Sequence, residues 1–343
     1  MNVMRAAIFA EHGGPGVVHV AEVETPEPDR GEVRVAVRAA SLNHLDLWAR
    51  RGLPFEIPMP HIGGSDVAGV VDALGDEVDG VEVGTRVVVD PSLNYGWYGN
   101  AGRSSEPDAV FGVLGEHTQG GLAEYCVVPA ENLVEIPDEV PFERAAAAGL
   151  TFVTAWHALV GRAVLQPGES VLVTGASGGV ATAAIQIAKH VGARVYAVTS
   201  GAASVRQAQG LGADVVYDRD DVDFSREVWR DTEKQGVDVV LDSVGEATWE
   251  GCVRSLGVGG RLVTYGSTAG PKVVSDVRVI FWKQLSILGS TMGSPEEFRR
   301  VMEMVFEGHL DPVIHSVLPL EDARRAHELL EAGSVFGKLV LVP

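Results

Sequence analysis

The sequence predicts an α/β protein of two domains, one built mostly of antiparallel strands and one built around a parallel sheet with helices on both faces. Three observations support this prediction. The 343 residues exceed what one ordinary core accommodates. The first half consists of short strand-like runs separated by glycine and proline turns. From Ser170 onward, strand-like and helix-like segments alternate, which is typical of a doubly wound parallel sheet.

The N-terminal half shows the repeated short strands of an antiparallel sheet. Apolar runs of this kind cover residues 6–9, 17–20, 32–37, 67–75, 86–89 and 122–128. The segment 91–121 is rich in Gly, Asn, Ser and Tyr and has no clear period, so we interpret it as a surface lobe. The alanine-rich stretch 142–150 is predicted to be helical and to lead into the second domain.

The second half alternates strands and helices. Strands are predicted at 170–174, 194–199, 214–217, 237–241, 261–265 and 285–290, and helices at 180–191, 204–211, 224–232 and 248–255. Two amphipathic helices, 295–308 and 320–332, and a last strand, 338–342, are expected to return to the first domain. The predicted domains are therefore 1–149 together with 293–343, and 150–292.

Charge and cysteine count exclude several classes of function. The 27 Lys and Arg against 47 Asp and Glu give a net charge of −20, which disfavours nucleic-acid binding. The two cysteines, Cys126 and Cys252, exclude a disulfide framework and a Cys-rich zinc site, and each is expected to be a small buried side chain. No apolar run approaches the roughly 20 residues that span a bilayer, and the start lacks the apolar region of a secretory signal. We therefore expect a cytoplasmic protein with no membrane partner.

Lysine is scarce and occurs only at positions 189, 234, 272, 283 and 338. An excess of carboxylates with little lysine is typical of halophilic enzymes, because salt screens the self-repulsion of such a chain. An ordinary acidic cytosolic protein is the alternative.

The strongest motif is an apolar strand, 171–174, that enters a glycine-rich turn and then directly a helix. The turn and first helical residues are the predicted pyrophosphate site: Ala176, Ser177, Gly178, Gly179 and Val180. Small residues there let the backbone approach a pyrophosphate, which binds the free N–H groups of the helix start. In this strand–turn–helix context the motif predicts a Rossmann dinucleotide-binding domain, although Ala176 and Ala181 replace two of the usual glycines.

The end of the second parallel strand selects the nicotinamide cofactor. Enzymes that use NAD place an Asp or Glu there to hold the ribose 2′-hydroxyl. The segment 197–206 contains no carboxylate, whereas Ser200 and Arg206 could hold a 2′-phosphate. The sequence therefore favours NADPH over NADH, with a solvated surface role as the alternative for Arg206.

Several further motifs together resemble one enzyme family. They are Leu42-Asn43-His44-Leu45-Asp46-Leu47, Gly64-Ser65-Asp66-Val67-Ala68-Gly69, Gly120-Gly121-Leu122-Ala123-Glu124-Tyr125, the Gly175–Ala181 turn, 237–245, and Gly337-Lys338-Leu339-Val340-Leu341. With them the chain resembles a medium-chain dehydrogenase/reductase, in particular the zinc-free quinone-reductase branch, over nearly its whole length. The resemblance implies a GroES-like substrate domain, mostly antiparallel β, and a Rossmann domain.

The zinc ligands of the zinc-dependent relatives are missing. By the resemblance, their catalytic ligands correspond to Asn43, Ser65 and Leu150, which bind zinc poorly or not at all. The segment 91–121 lacks the four cysteines of their structural site. We expect no metal, with a different site built from His44, His61, Glu116 and His117 as the alternative.

The resemblance implies hydride transfer to an activated acceptor, a quinone or an α,β-unsaturated carbonyl compound, because negative charge then builds on an oxygen that hydrogen bonds can stabilise. Asn43 is the candidate to support the nicotinamide ribose or the acceptor oxygen, against a turn role at a strand end. His44 and Asp46 are nearby polar candidates, although Asp46 could instead pair with Arg50 or Arg51. No general acid is identified, and solvent could supply the proton.

The resemblance also places other residues near the cofactor. Those expected to line it are Thr154, Tyr217, Ser243, Val244, Gly245, Tyr265, Gly266 and Ser267. Phe281 and Trp282 precede a strand that relatives pair across a twofold axis, so a homodimer, or a tetramer, is expected. Two other functions stay open: an alcohol dehydrogenase with a recruited metal, and an NADPH-binding sensor without catalysis.

Overall fold

A computed structural model describes residues 2–94 and 111–343. The chain forms two compact units, 1–153 with 293–343, and 154–292. The predicted second domain began at 150, and the predicted first domain resumed at 293. The predicted surface lobe 91–121 lies partly outside the described residues. Within those residues, every helix is too short or too polar to cross a membrane.

The elements are numbered in chain order. The strands are β1 (Val3–Phe9), β2 (His19–Glu24), β3 (Glu32–Ser41), β4 (His61–Ile62), β5 (Asp66–Leu74), β6 (Arg86–Val89), β7 (Ser92–Leu93), β8 (Gly112–Val113), β9 (Tyr125–Pro129), β10 (Leu133–Glu135), β11 (Ser170–Val173), β12 (Arg194–Thr199), β13 (Val215–Asp218), β14 (Val237–Asp242), β15 (Leu256–Thr264), β16 (Ser286–Gly289), β17 (Ile314–Pro319) and β18 (Lys338–Val342). The helices are α1 (His44–Arg51), α2 (Phe142–Trp156), α3 (Gly179–Val191), α4 (Ala202–Gly210), α5 (Phe224–Asp231), α6 (Trp249–Ser255), α7 (Val277–Trp282), α8 (Pro295–Phe306) and α9 (Ala323–Glu331).

The first unit is built on mostly antiparallel sheets, as predicted, and the pair β17 and β18 is parallel. Its main sheet has the order β10-β6-β5-β3-β18-β17, with β9 also paired to β3, and β2-β1-β4 forms a second sheet. Strand β18 pairs antiparallel with β3 through Val340 and Ser41, so the C-terminal segment completes this sheet. This pairing brings Lys338, at the start of β18, to the chain that leaves β3.

The second unit is a six-stranded parallel sheet of order β13-β12-β11-β14-β15-β16. The order reverses between β11 and β14, which is where doubly wound sheets bind ligands, at the carboxyl ends of the strands. Helix α3 ends at Gly192 in the left-handed conformation, with φ of 91°, a common helix stop. The predicted fold class, a GroES-like antiparallel domain plus a Rossmann domain, is confirmed.

Local predictions were wrong at several places. The strand predicted at 17–20 begins only at His19, as β2, because Val17 ends a 3₁₀ turn that starts at Pro15. Helix α1 was not predicted: its single amphipathic face is short, and Asn43 is its N-cap, not a simple strand-end turn. Strand β17 and helix α7 were also missed. Both cysteines are buried and free, as predicted.

The Arg50 side chain is fully buried, and it does not pair with Asp46. Its Nη2 donates to Glu331 Oε2 at 2.7 Å and its Nε donates to the Gly13 carbonyl oxygen. Arg51 pairs with the same carboxylate. The pairing of Asp46 with these arginines is therefore wrong, because α9 supplies a closer carboxylate.

Candidate functional site

The glycine-rich turn of the second unit has the geometry of a pyrophosphate site. Gly175 has φ of 59°, a left-handed conformation that favours glycine. Gly178 caps α3 without any side-chain hydrogen bond to the helix start. The N–H groups of the first turn, at Gly179 and Val180, are therefore left for a ligand, and the positive end of the helix dipole faces it. A dinucleotide fits this turn.

A second turn with predicted cofactor residues follows β14. The Ala269 and Thr268 N–H groups donate to the Val244 and Ser243 carbonyl oxygens at 2.8 and 3.0 Å. Gly245 has φ of 81°, and a Cβ there would collide with the Gly270 carbonyl oxygen. The structure therefore brings together the predicted segments Ser243–Gly245 and Tyr265–Ser267, and a Cβ on Gly175 would contact Val244 at 3.4 Å.

Asp242 holds these turns, and sequence reasoning missed it. Its carboxylate is fully buried and accepts hydrogen bonds from the Thr174 and Thr248 hydroxyls, both at 2.6 Å, and from the Gly245 N–H at 2.9 Å. Thr174 directly precedes the glycine-rich turn. One carboxylate thus ties the ends of β11 and β14 together. An Asp at the end of a predicted buried strand was the available signal.

Two exposed arginines lie in the segments that follow β12 and β13. Ser200 is half-buried, and Arg206 is exposed on α4 with no ion pair in the described part of the chain. The Arg219 N–H donates to the Thr199 carbonyl oxygen at 3.0 Å, which brings a second exposed arginine beside Ser200. The carboxylate of Asp218 accepts from the Asp220 N–H and is used within its own turn. Arg219 was missed because it follows the third strand, not the second.

Two further predicted cofactor residues, Thr154 and Tyr217, are buried. Thr154 is buried in the last turns of α2. Tyr217 is buried too, and its hydroxyl donates to Asp231 at 2.9 Å while its ring stacks on Tyr196. Burial and the Asp231 carboxylate raise the pKa of Tyr217. Its hydroxyl is therefore committed within the core.

In the first unit, Asn43 lies in a buried hydrogen-bond network. Its Nδ2 donates to Asp66 Oδ2 at 2.8 Å, and its Oδ1 accepts from Lys338 Nζ at 2.5 Å. Lys338 Nζ also donates to Asp66 Oδ2 at 2.9 Å, and only 4% of its side chain is exposed. The Ser41 hydroxyl lies 2.9 Å from the same Asp66 oxygen. Asn43 was predicted as a site residue, whereas no role was predicted for the other three members of this network, Ser41, Asp66 and Lys338.

Asp46 has a role in shaping the backbone around Asn43. Its Oδ2 accepts from the Asn43 N–H and its Oδ1 from the Gly64 N–H, both at 2.7 Å. Burial, which the Asn43 and Gly64 N–H groups only partly offset, raises the pKa of Asp46 to about 6. Both oxygens are thus occupied by the protein, which fits a positioning role.

His44, next in the chain, is exposed on the first turn of α1. Loss of hydration, with the positive charges of Lys338 and Arg51, lowers the pKa of His44. At neutral pH its imidazole is therefore neutral. Asn43, His44 and Asp46 are the three predicted catalytic residues. Of these three, only the His44 side chain has no hydrogen bond within the described residues.

The residues named for a different metal site do not converge. His61 Nε2 contacts the Gly115 carbonyl oxygen, whereas His117 Nδ1 accepts the Val113 N–H and its ring stacks on Phe55. In the described part of the chain, no three His, Cys, Asp or Glu side chains are arranged to hold a metal.

Glu116 yields a pH-dependent prediction. Burial, with a smaller contribution from Asp46, raises the pKa of Glu116 to about 7. A carboxyl with a raised folded pKa favours folding below its unfolded pKa near 4.5, and this contribution is lost as the pH rises through about 7. We expect Glu116→Gln to match the wild type in thermal stability at pH 5 and to exceed it at pH 8.

Thermal unfolding of both proteins at several pH values measures this difference. Glu56→Gln, at an exposed position, is the control and should change nothing at either pH. Equal melting temperatures of wild type and Glu116→Gln at pH 8 would contradict the prediction. His117 and His61 are the nearby imidazoles, and burial lowers the pKa of both, so their titration moves away from the pH range in which Glu116 ionises.

Two family models match the chain. The model described as alcohol dehydrogenase GroES-like domain matches residues 29–138, and that described as zinc-binding dehydrogenase matches residues 179–307. Among curated proteins, the human quinone oxidoreductase is 30% identical over 99% of this chain and 98% of its own length.

Solved structures match as fully. A structure titled NAD-dependent alcohol dehydrogenase is 43% identical with a TM-score of 0.93, covering 99% of this chain and 100% of its own. A thermostable alcohol dehydrogenase from Pyrobaculum aerophilum, with cobalt and zinc bound, is 36% identical with a TM-score of 0.89 over 100% of both chains. The 2-octenoyl-CoA carboxylase reductase CinF, in complex with NADP and 2-octenoyl-CoA, is 27% identical with a TM-score of 0.91, covering 100% and 88%.

Proposed function

The chain belongs to the medium-chain dehydrogenase/reductase superfamily, is quinone oxidoreductase-like and is an NAD(P)H-dependent oxidoreductase, and from this premise we propose that it transfers hydride from NADPH to a quinone or an α,β-unsaturated carbonyl compound without a catalytic zinc ion. The single observation that carries the proposal is the pairing of Asn43 with the Lys338 ammonium at the position where zinc-dependent relatives have a ligand.

The donor set does not fit zinc. Ser65 and Leu150 stand at the other two ligand positions, and both are buried. The Ser65 side chain offers one hydroxyl, whereas the Leu150 side chain has no atom that can bind a metal. Asn43 Oδ1, the amide oxygen that could bind a cation, already accepts from Lys338 Nζ at 2.5 Å. A zinc ion on that oxygen would have to displace the Lys338 N–H, which would leave a buried donor without its acceptor. The buried ammonium therefore occupies the position on Asn43 Oδ1 that a metal would need.

The residues of the site can stabilise an oxyanion. When bound, the reduced nicotinamide supplies the hydride, and negative charge then develops on the acceptor oxygen. Asn43 Nδ2 has two N–H groups, of which Asp66 accepts one. The other has no acceptor within the described residues and can donate to the developing oxyanion, which is worth about 10²-fold to 10³-fold in rate. Solvent supplies the proton in this proposal.

The proposal is tested by NADPH oxidation with a simple quinone and a simple enone, in high salt because of the net charge of −20, with and without a chelator. Turnover that the chelator leaves unchanged supports it. Turnover abolished by the chelator and restored by zinc would overturn it in favour of an alcohol dehydrogenase.

The alcohol dehydrogenase is the second candidate, because several of the matching structures carry that name and one of them binds zinc and cobalt. Metal analysis of the purified protein together with an alcohol-oxidation assay separates the two functions. Cofactor binding without turnover on any acceptor would instead favour the third candidate, an NADPH-binding sensor.

The preference for NADPH gives a second prediction. The newly identified Arg219 is exposed beside Ser200, where a 2′-phosphate would lie, Arg206 is exposed on the helix that follows Ser200, and no carboxylate follows β12. A charge-assisted hydrogen bond to a phosphate is worth about 1.5–3 kcal/mol. We expect Arg206→Ala and Arg219→Ala each to raise the KM for NADPH about 10-fold and to leave the KM for NADH unchanged.

Steady-state kinetics with both cofactors measures this split. Arg226→Ala, at an exposed arginine of α5 that pairs with Asp223, is the control. An equal rise of both KM values would show that these arginines do not select the 2′-phosphate. The 43% identical structure is that of an NAD-dependent alcohol dehydrogenase, so the comparison of NADPH and NADH on the wild type itself also tests the preference.

We also propose that the partner is a second copy of this chain. Strand β16 is the outer strand of the parallel sheet, and its neighbourhood exposes apolar side chains: Val274 at 90%, Trp282 at 76% and Phe281 at 60%. An open, apolar sheet edge favours strand addition, and a twofold axis lets the same edge pair with itself. We expect Trp282→Asp to convert a dimer to a monomer in analytical ultracentrifugation, whereas Val83→Asp, at a 61% exposed position of the first unit, should not.

A further inference from the structure

We propose that Lys338 and Asp66 are positioning residues that hold the Asn43 amide with its Nδ2 as the end available to the substrate. The proposal rests on the reductase function above and names residues that act through Asn43 and do not touch the substrate. The opposite charges of Lys338 and Asp66 contact the two ends of the neutral Asn43 amide.

The Lys338 ammonium is saturated by the protein. Its three N–H groups match three acceptors: the Leu42 carbonyl oxygen at 2.8 Å, Asn43 Oδ1 at 2.5 Å and Asp66 Oδ2 at 2.9 Å. With 4% of its side chain exposed and no free N–H, Lys338 is unsuited to donate a proton to a substrate. What it does is fix the orientation of its three acceptors.

Asp66 opposes Lys338 across the amide. Its Oδ2 accepts from Asn43 Nδ2, and its Oδ1 accepts from the Leu150 N–H at 2.6 Å. The side chain is completely buried, so its interactions are little screened. Gly149, the residue before Leu150, leaves no room for a Cβ against the same carboxylate. Asp66 is therefore held on one oxygen by the backbone of α2 and on the other by Asn43 and Lys338.

The charges allow only one orientation of the Asn43 amide. As observed, Oδ1 faces a cation and Nδ2 faces an anion. A flipped amide would place N–H against ammonium and oxygen against carboxylate, which loses two charge-assisted hydrogen bonds and adds two repulsions. The free Nδ2 N–H is therefore presented constantly, so that no reorientation is needed when charge develops on the acceptor.

A charge-neutral double variant separates this role from simple charge compensation. Lys338→Met alone leaves the Asp66 carboxylate buried and unpaired, and it could unfold the protein. Adding Asp66→Asn removes that charge. The new amide can keep its oxygen on the Leu150 N–H, and Ser41 can still donate to the Ala146 carbonyl oxygen at 3.0 Å. The amide nitrogen at position 66 then faces Asn43, which must flip to present Oδ1.

We expect the double variant to recover most of the melting temperature that Lys338→Met loses, yet to keep kcat at least 10-fold below wild type. The Kd for NADPH, followed by its fluorescence, should change less than 2-fold. In an Asn43→Ala background, the same pair of substitutions should lower kcat no further, because their effect passes through Asn43. A double variant with wild-type kcat, or an undiminished loss in the Asn43→Ala background, would overturn the proposal.

The orientation is also measurable without turnover. In protein labelled with ¹⁵N-asparagine, the Asn43 amide protons are identified by their loss in Asn43→Ala. We expect one of the two to be strongly deshielded by the Asp66 carboxylate in the wild type and to lose that shift in the double variant. A wild type that shows this signal but reduces no quinone or enone would refute the proposed reaction alone. The absence of the signal would refute the positioning role.

Discussion

Replacing Asn43 with alanine is expected to lower the turnover of a quinone or enone about 100-fold, because the substitution removes the one amide N–H that the site leaves free for an oxyanion. The loss should fall on kcat, since the interaction strengthens only as charge develops on the acceptor. Stability should fall less, by about 1–3 kcal/mol, because Lys338 and Asp66 still pair with each other.

A matched control exists in the same unit. Asn132 is buried as well, and its Nδ2 donates to the carbonyl oxygens of Asp90 and Ser92. Asn132→Ala should lower the melting temperature by a similar amount and leave kcat per folded molecule unchanged. Stopped-flow and steady-state kinetics on all three proteins give the comparison. If Asn43→Ala kept wild-type turnover, Asn43 would have no role in the reaction.

Replacing Asp242 with leucine is expected to weaken NADPH binding about 100-fold and to destabilise the second unit by about 3–5 kcal/mol. The carboxylate joins the Thr174 and Thr248 hydroxyls and the Gly245 N–H. Without it, these donors are buried and unsatisfied, and both turns that would contact the cofactor lose their common support. Titration calorimetry and thermal unfolding measure the two effects.

Asp238 is the control for that substitution. It lies on the same strand β14, four residues earlier, where it accepts from the Ser170 N–H and hydroxyl in an exposed position. Asp238→Ala should change neither NADPH affinity nor the melting temperature by much, since exposed hydrogen bonds are readily replaced by water. Normal NADPH affinity in Asp242→Leu would show that the turns do not depend on this carboxylate.

Local sequence patterns predicted the second unit well. Strand β12 and helix α3 occur within one residue of their predicted bounds, because a buried parallel strand is a continuous apolar run and a glycine-rich turn marks its end. The first unit was harder. Strand β17 alternates half-buried and exposed residues and includes Pro319, and α1 has only eight residues, so neither produces a strong periodic signal.

The sequence by itself determined the two-domain fold and the absence of a carboxylate after β12, and it predicted the dinucleotide-binding turn and, through the family resemblance, the replacement of zinc ligands at Asn43 and Ser65. These follow from residues that are neighbours in the chain. Only the tertiary structure decided what surrounds Asn43, since Lys338 reaches it from 295 residues away. That contact exists because β18 pairs with β3. A buried charge can be recognised as a partner only when the folded chain shows which oppositely charged and polar groups surround it.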